Sequence, residues 1–459
     1  MIPQAARDWT GSAGVPTAGA GSAGVPAAGA AAVQLVSSRS DPLNRMAFYL
    51  GMATVFMQFS VLPQVTTYVL RFDLYLPYLI AMPAILAMIA SGGIRTCFRA
   101  RTAYYWTGFG CWMLLAAPFS VWRGASVLAC FFYWRSDLSM LFIVAAMLHE
   151  WSDIKTVMRV IGASAVVNVL SAYFLPRDLG ERVGVALGSI ANPNDYAAHL
   201  LLVLPFLLWI LMAGKAISRI VALGFIGAGL YLILATSSRG ALVALAADAV
   251  FWAIFGTWRQ KAALVVAGPI AAMILLTTVP AQSLRRLAAI WNLSATNTET
   301  AEALASSVAR QYTLTTSLRY TFEHPVFGVG PQQFALYEGG HERMIGEHGY
   351  WHNTHNSFTE ASAECGIPGF LFFAAGIVST FLLFFKTFRQ ARSRPGCVDI
   401  RVAVFCIMLG MVGFTVAITF LSFAYFFYLP AMGGLAIGVW NAGQREFQLR
   451  GAASDAVAA

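Results

Sequence analysis

The chain has 459 residues, 58% of them hydrophobic and 11% charged, with a formal net charge of +9 and a mean hydropathy of +0.66. Soluble domains carry about a quarter charged residues, so this composition excludes an ordinary water-soluble protein. It points to an all-α polytopic membrane protein, because α-helices satisfy their own backbone hydrogen bonds in lipid. The positive charge is then a matter of topology and implies no nucleic-acid partner.

Residues 1–42 differ from all that follows. Gly11-Ser12-Ala13-Gly14-Val15-Pro16-Thr17-Ala18-Gly19-Ala20 recurs almost letter for letter at 21–30. A Gly/Ala/Pro tract buries too little surface to offset the entropy of ordering, so a disordered cytoplasmic tail is expected. It also lacks the continuous apolar run of a cleavable signal peptide.

About twelve transmembrane helices are expected next, at 46–69, 74–92, 103–121, 125–148, 156–175, 195–213, 217–236, 241–256, 262–280, 366–386, 401–420 and 424–441. Nine fall in 43–280 and three in 366–441, divided by one large polar loop at 281–365 and followed by a tail at 442–459. With the N-terminus inside, the inner loops hold Arg95, Arg99 and Arg101, then Lys155 and Arg159, Lys215 and Arg219, Arg259 and Lys261, and finally Lys386, Arg389, Arg392, Arg394 and Arg401. Every inner loop is basic, which places both termini in the cytoplasm and the 281–365 loop outside. The six cysteines form no disulfide framework and no CxxC metal pair. Arg135 and Asp137 are costly within the fourth span, so either they face the bundle interior or that span is shorter than drawn.

The polar residues gather on the outer side. Arg182 lies in the 176–194 loop, which ends in Asn192-Pro193-Asn194-Asp195, a Pro-containing turn suited to capping the sixth span. Ser237-Ser238-Arg239-Gly240 forms the turn before the eighth span. Arg239 there could snorkel to the headgroups. However, a helix N-terminus favours anions, so a cation at that place is better explained by an anionic ligand. The long loop holds Arg285, Arg286, Arg310, Arg319 and five of the seven histidines.

Within that loop, Glu323-His324-Pro325 and Gly328-Val329-Gly330-Pro331 read as a rigid turn. His348, His352 and His355 would share one face of a helix, as in a zinc site, but Gly349 and Asn353-Thr354 oppose a helix there and no metal site is expected. His341 and His348 are expected to be solvated loop residues, and 356–365 an amphipathic approach to the tenth span.

Three segments together resemble the bacterial O-antigen ligase and polymerase superfamily of integral membrane glycan transferases. The first is Gly188-Ser189-Ile190-Ala191-Asn192-Pro193-Asn194 and the second Ser238-Arg239-Gly240. The third runs from His324-Pro325-Val326-Phe327-Gly328-Val329-Gly330-Pro331 through His355-Asn356-Ser357-Phe358 to Glu364-Cys365-Gly366-Ile367-Pro368-Gly369. The likeness covers 180–370 well and 100–440 loosely.

The resemblance implies a membrane glycosyltransferase-type fold in the bacterial inner membrane, with its active site facing the periplasm. The implied partners are an undecaprenyl-diphosphate-linked glycan, a lipid A-core or other glycan acceptor, and membrane lipids, with no cofactor. Carried over residue by residue, His355 and Arg239 become the catalytic pair, and Arg182 and Arg310 bind substrate. The chemistry agrees: guanidinium groups neutralise a diphosphate leaving group, and a neutral imidazole accepts the acceptor's proton. No Asp-x-Asp pair appears in the outer loops, so a metal-independent reaction is expected. A ligase is the first expectation and a repeat-unit polymerase the alternative. A twelve-span transporter is disfavoured because no repeat relates the two halves and the polar groups lie at one face.

Overall fold

The computed structural model describes residues 42–175, 183–185, 190, 192–288, 298–344, 346, 349 and 351–458. Residues 1–41, Arg182 and His348 lie outside them, so the tail and those two side chains are not described. The described residues contain helices and no strand. In chain order the helices are α1 (Pro42–Phe59), α2 (Leu62–Leu70), α3 (Leu76–Ala90), α4 (Ile94–Cys97), α5 (Arg101–Ala116), α6 (Arg123–Phe132), α7 (Ser139–Met147) and α8 (Trp151–Phe174). They continue as α9 (Pro193–Ala213), α10 (Ala216–Ala235), α11 (Arg239–Phe255), α12 (Trp258–Thr278), α13 (Ala281–Ala288) and α14 (Thr298–Glu323). The last four are α15 (Phe334–Met344), α16 (Ser357–Arg392), α17 (Val398–Ala417) and α18 (Tyr428–Ala458).

All twelve apolar segments expected from the sequence fall on helix. Among the described residues, seven runs are long and apolar enough to cross a membrane, or up to eight if the pair α1–α2, bent by 72°, counts as one. Helices α3, α5 and α11 have 15, 16 and 17 residues, shorter than a typical span of about 20. The second half of α18 carries Arg445, Glu446 and Arg450.

The core centres on α9 and α17, each 72% buried along its apolar window. Both are apolar on all sides, as a helix enclosed by other helices must be. Leu200, Leu202 and Phe206 of α9 and Phe414 of α17 have no exposed surface. By contrast α12, also long and apolar, buries none of its residues.

Backbone that leaves the helix inside this bundle must still be satisfied. At the α1–α2 bend the amide of Val61 donates to Asn168 Oδ1 at 2.8 Å, and Asn168 Nδ2 donates to the Phe59 carbonyl at 2.8 Å. Asn168 also meets His199 Nε2 at 2.6 Å, and His199 Nδ1 meets the Tyr428 hydroxyl at 3.0 Å. This buried polar chain joins α8, α9 and α18 at the bend.

The span containing Arg135 and Asp137 is continuous from Arg123 to Met147, with a π-helical turn at Tyr133–Leu138. Arg135 donates to the Tyr78 hydroxyl at 2.8 Å and lies over that ring, and Asp137 accepts from the backbone of Phe427. Both charges turn toward neighbouring segments, Arg135 at a partly exposed rim beside Phe131 and Phe132 and Asp137 against Phe427, and the π turn lies where they leave the helix.

Candidate active site

The site is assembled from three helix N-termini, the middle of a fourth helix and the segments that join them. The N-terminus of α9 is capped by Asn192, whose side chain accepts from the Asn194 amide at 2.9 Å, with Pro193 at the first helical position. Asp195 lies in that first turn. The N-terminus of α11 is capped by Ser238, which accepts from the Ala241 amide at 3.4 Å and places Arg239 at the first helical residue. Gly240 lets this turn approach the ring of Phe420, where a Cβ would press against it.

Helix α14 supplies Arg310. Thr313, Ser317, Tyr320 and Thr321 are buried along one face, which follows from their helical spacing. Thr313 donates to the Thr354 carbonyl at 3.2 Å and Thr321 meets Ser362 at 2.7 Å, so this face lies against the His355 segment and α16. Arg310, one turn before Thr313, projects past that contact as a half-buried side chain.

The His355-Asn356-Ser357 tripeptide divides its tasks. Asn356 caps α16, accepting from the amides of Phe358 at 2.9 Å and Thr359 at 3.2 Å. The Ser357 hydroxyl donates to the Leu421 carbonyl at 2.7 Å and accepts from the Phe423 amide at 2.8 Å. His355 itself has φ +51°, and its amide donates to Ser422 Oγ at 3.0 Å. Both neighbours in the tripeptide are thus used as fasteners, which leaves the half-buried imidazole to the site.

Below this, the turn at 324–331 docks onto α16 through the main chain. The amides of Val329 and Gly330 donate to the carbonyls of Ala363 and Glu364 at 2.9 and 3.0 Å, and Ile367 donates back to Pro325 at 2.8 Å. Helix α16 kinks at Gly366, where φ is +70° and ψ is −177°, a conformation essentially confined to glycine. The rigid turn read from the sequence is therefore present, and Glu364 caps the next element by accepting from the amides of Gln332 and Phe334 at 2.7 and 2.9 Å.

Electrostatics link the pieces. Burial lowers the pKa of Arg310, the charge of Arg239 lowers it further, and Asp195 opposes the shift. Burial also pushes His355 down to about 4, helped by Arg310 and by His352. Arg286 of α13 acts on Arg239. A narrow cleft beside Arg310 is lined also by Asn194, Ser238, Phe420 and Leu421 among others. Cations gathered near the N-terminus of α11 form a place suited to an anion.

Of the four residues expected at the site, Arg239, Arg310 and His355 are brought together, and Arg182 lies outside the described residues. The nearby Val183 amide donates to the Ala235 carbonyl, close before Arg239 in the chain. The sequence reading missed Asp195, Arg286 and Ser422 as parts of this group. Asp195 and Arg286 were visible only as a helix cap and a loop cation, and Ser422 carried no motif.

Residues 351–356 are not helical, as Gly349 and Asn353-Thr354 indicate, so the spacing of His352 and His355 has no helical face to act on. Two expectations need correction. His341 is not a solvated loop residue: it sits in α15, half-buried, stacked on Tyr337 at 5.6 Å and 12°. The 357–365 segment is not amphipathic, because every residue except Phe358 is buried. The 324–334 and 421–425 segments enclose it on the sides that water was expected to occupy. Arg319 is structural as well, paired with Glu342 at 2.6 Å.

These features define a helical protein with several helices long enough to span a membrane and a group of arginines and a histidine beside a narrow cleft. Residues 223–374 match the family model described as O-antigen ligase, a match that supports membership of the O-antigen ligase and polymerase superfamily. The matched stretch contains Arg239, Arg310 and His355. No curated protein matches the chain. The family implies a multi-pass membrane enzyme of glycosyltransferase-like activity that uses a lipid-linked glycan and a glycan acceptor.

Proposed function

We propose that the protein is a ligase of this superfamily. It transfers a glycan from an undecaprenyl-diphosphate carrier to a hydroxyl of lipid A-core, at the periplasmic face of a bacterial inner membrane. The observation that carries the reading is that Arg239, Arg310 and His355, from three separate segments, lie close enough to act on one another, with Arg239 and His355 both coupled to Arg310. The twelve apolar segments would then be about twelve spans, with the shorter α3, α5 and α11 and the first part of α18 completing the bundle and the 281–365 region lying outside.

In this scheme the acceptor oxygen attacks the anomeric carbon and its proton passes to His355. The bond from the anomeric carbon to the diphosphate oxygen breaks, and the carrier diphosphate leaves with an added negative charge. Arg239 and Arg310, with Arg182, neutralise that charge through charge-assisted hydrogen bonds. A pKa of about 4 keeps His355 neutral and able to accept a proton near pH 7. The arginines do the work that a metal clamp would do elsewhere, so transfer should not require a divalent cation. Asp195, beside Arg310, would hold that guanidinium in place between turnovers.

Surface-glycan analysis of a deletion strain, complemented with wild type, Arg239→Ala or His355→Ala, tests the proposal. Unmodified lipid A-core with full-length polymer accumulating on the carrier is the expected result for null and variants alike. Single repeats on the core or the carrier would instead assign the protein as a repeat-unit polymerase. Unchanged glycans would remove the support for either.

A further inference from the structure

At the end of the bundle away from the cleft, α8, α9 and α10 enclose an open groove of about 1160 Å³. The 20 residues of α10 separate its Lys215 end from Arg239, which is roughly 30 Å of helix. The groove is therefore distinct from the candidate active site.

Its chemistry is sharply divided. The walls are apolar, formed by Val166, Leu207, Ile210 and Val221, and Ile217 at the rim is 80% exposed. Gly162 makes the α8 wall shallow, since a Cβ there would press on Ile210. Three cations stand at the mouth: Lys155, Arg159 and Lys215. One acid joins them, Asp399, held by Lys155 at 3.1 Å and by Arg450 at 2.8 Å. The mouth therefore keeps a positive excess, and Arg159 and Lys215 are both exposed.

An apolar channel between long apolar helices, closed at one end by cations, matches a molecule with acyl chains and an anionic phosphate head. A soluble anion would leave the apolar walls unused, and a neutral lipid would leave the cations without a counter-charge. We propose that this groove is a binding site for an anionic phospholipid, whose phosphate meets Arg159 and Lys215 while its chains lie along α8, α9 and α10. The site stands independently of the transfer reaction proposed above.

The test uses the full-length protein in phosphatidylcholine nanodiscs containing a minor fraction of phosphatidylglycerol, with bound lipid read by native mass spectrometry. Each cation near an anionic lipid contributes about fivefold in affinity, so the double variant Arg159→Gln/Lys215→Gln should lose roughly 25-fold in phosphatidylglycerol retention. Arg259→Gln/Lys261→Gln removes the same charge from the same end of the bundle, outside the groove, and should retain the lipid within about twofold of wild type. Equal losses in both variants would overturn the site, since they would reflect net charge alone. A third arm replaces phosphatidylglycerol with a long-chain polyisoprenyl phosphate. Tighter retention of the isoprenoid would overturn the phospholipid assignment, and weaker retention supports it.

Discussion

The backbone amide of His355 donates to the side-chain oxygen of Ser422 at 3.0 Å, across 67 residues of sequence. Since His355 adopts φ +51°, its backbone sits in a region that most residues avoid, and the surrounding fasteners hold it there. Ser422 is thus a positioning residue for the imidazole. Ser422→Ala should reduce transfer by about 10- to 100-fold, the scale of a small misplacement of a reacting group. The loss should fall on kcat with KM for the lipid-linked donor nearly unchanged, and Ser422→Thr should restore most of it.

His355→Ala should abolish transfer while the protein accumulates normally, and His341→Ala should be nearly silent. Rates in membranes carrying each variant check this. An inactive His341→Ala enzyme would move the base to the Tyr337–His341 pair.

The pH dependence follows from burial and from Arg310. Both favour the neutral imidazole, so the free enzyme keeps its base above a pKa of about 4 and loses it as pH falls through that value. The profile of kcat/KM should be flat from roughly pH 5 to 8 on the acid side. An inflection near the ordinary histidine value of about 6.5 would contradict the role given to His355. Arg310→Gln removes one of the charges that depress the pKa and should shift the acid limb upward.

Substituting lysine for Arg239 or Arg310 preserves charge but not the planar pair of donors. If both guanidinium groups bind diphosphate, Arg239→Lys and Arg310→Lys should each lower transfer by about 100- to 1,000-fold. Rates measured with added EDTA should match those without it, as expected of a reaction that uses arginines in place of a metal.

Gly366→Ala should destabilise the fold by about 1–3 kcal/mol. Its conformation is essentially confined to glycine, and a Cβ would strike the Val326 carbonyl. Thermal unfolding in detergent reads the change. Because the kink also seats the 324–331 turn, the same variant should expose that turn to limited proteolysis.

Local chemistry made much of this structure legible. Asn192 and Ser238 cap helices where their side chains and the following apolar runs indicate, and the glycines at 328, 330 and 366 mark a turn and a kink. Helix positions were readable from apolar runs, whereas the span count was less so, because the lengths of α3, α5 and α11 do not settle it. What the sequence hid is tertiary. The charge of Asp195 acts on Arg310, and Ser422 meets His355, only after chain segments far apart are folded together. The 357–365 helix looked amphipathic because its serines, threonine and glutamates suit water. They are polar for another reason: Ser357 and Glu360 satisfy the backbone of 421–424, and Glu364 that of 332–334.

The exposure of α12 governs how its sequence can drift. No side chain along Trp258–Thr278 is enclosed by the rest of the protein, so shape complementarity places little demand on which apolar residue stands where. Hydrophobic length and the Thr257–Gln260 capping box are what remain to be kept. Shuffling the order of its apolar residues should leave assembly intact, whereas a similar shuffle in α9 would scramble the centre of the bundle.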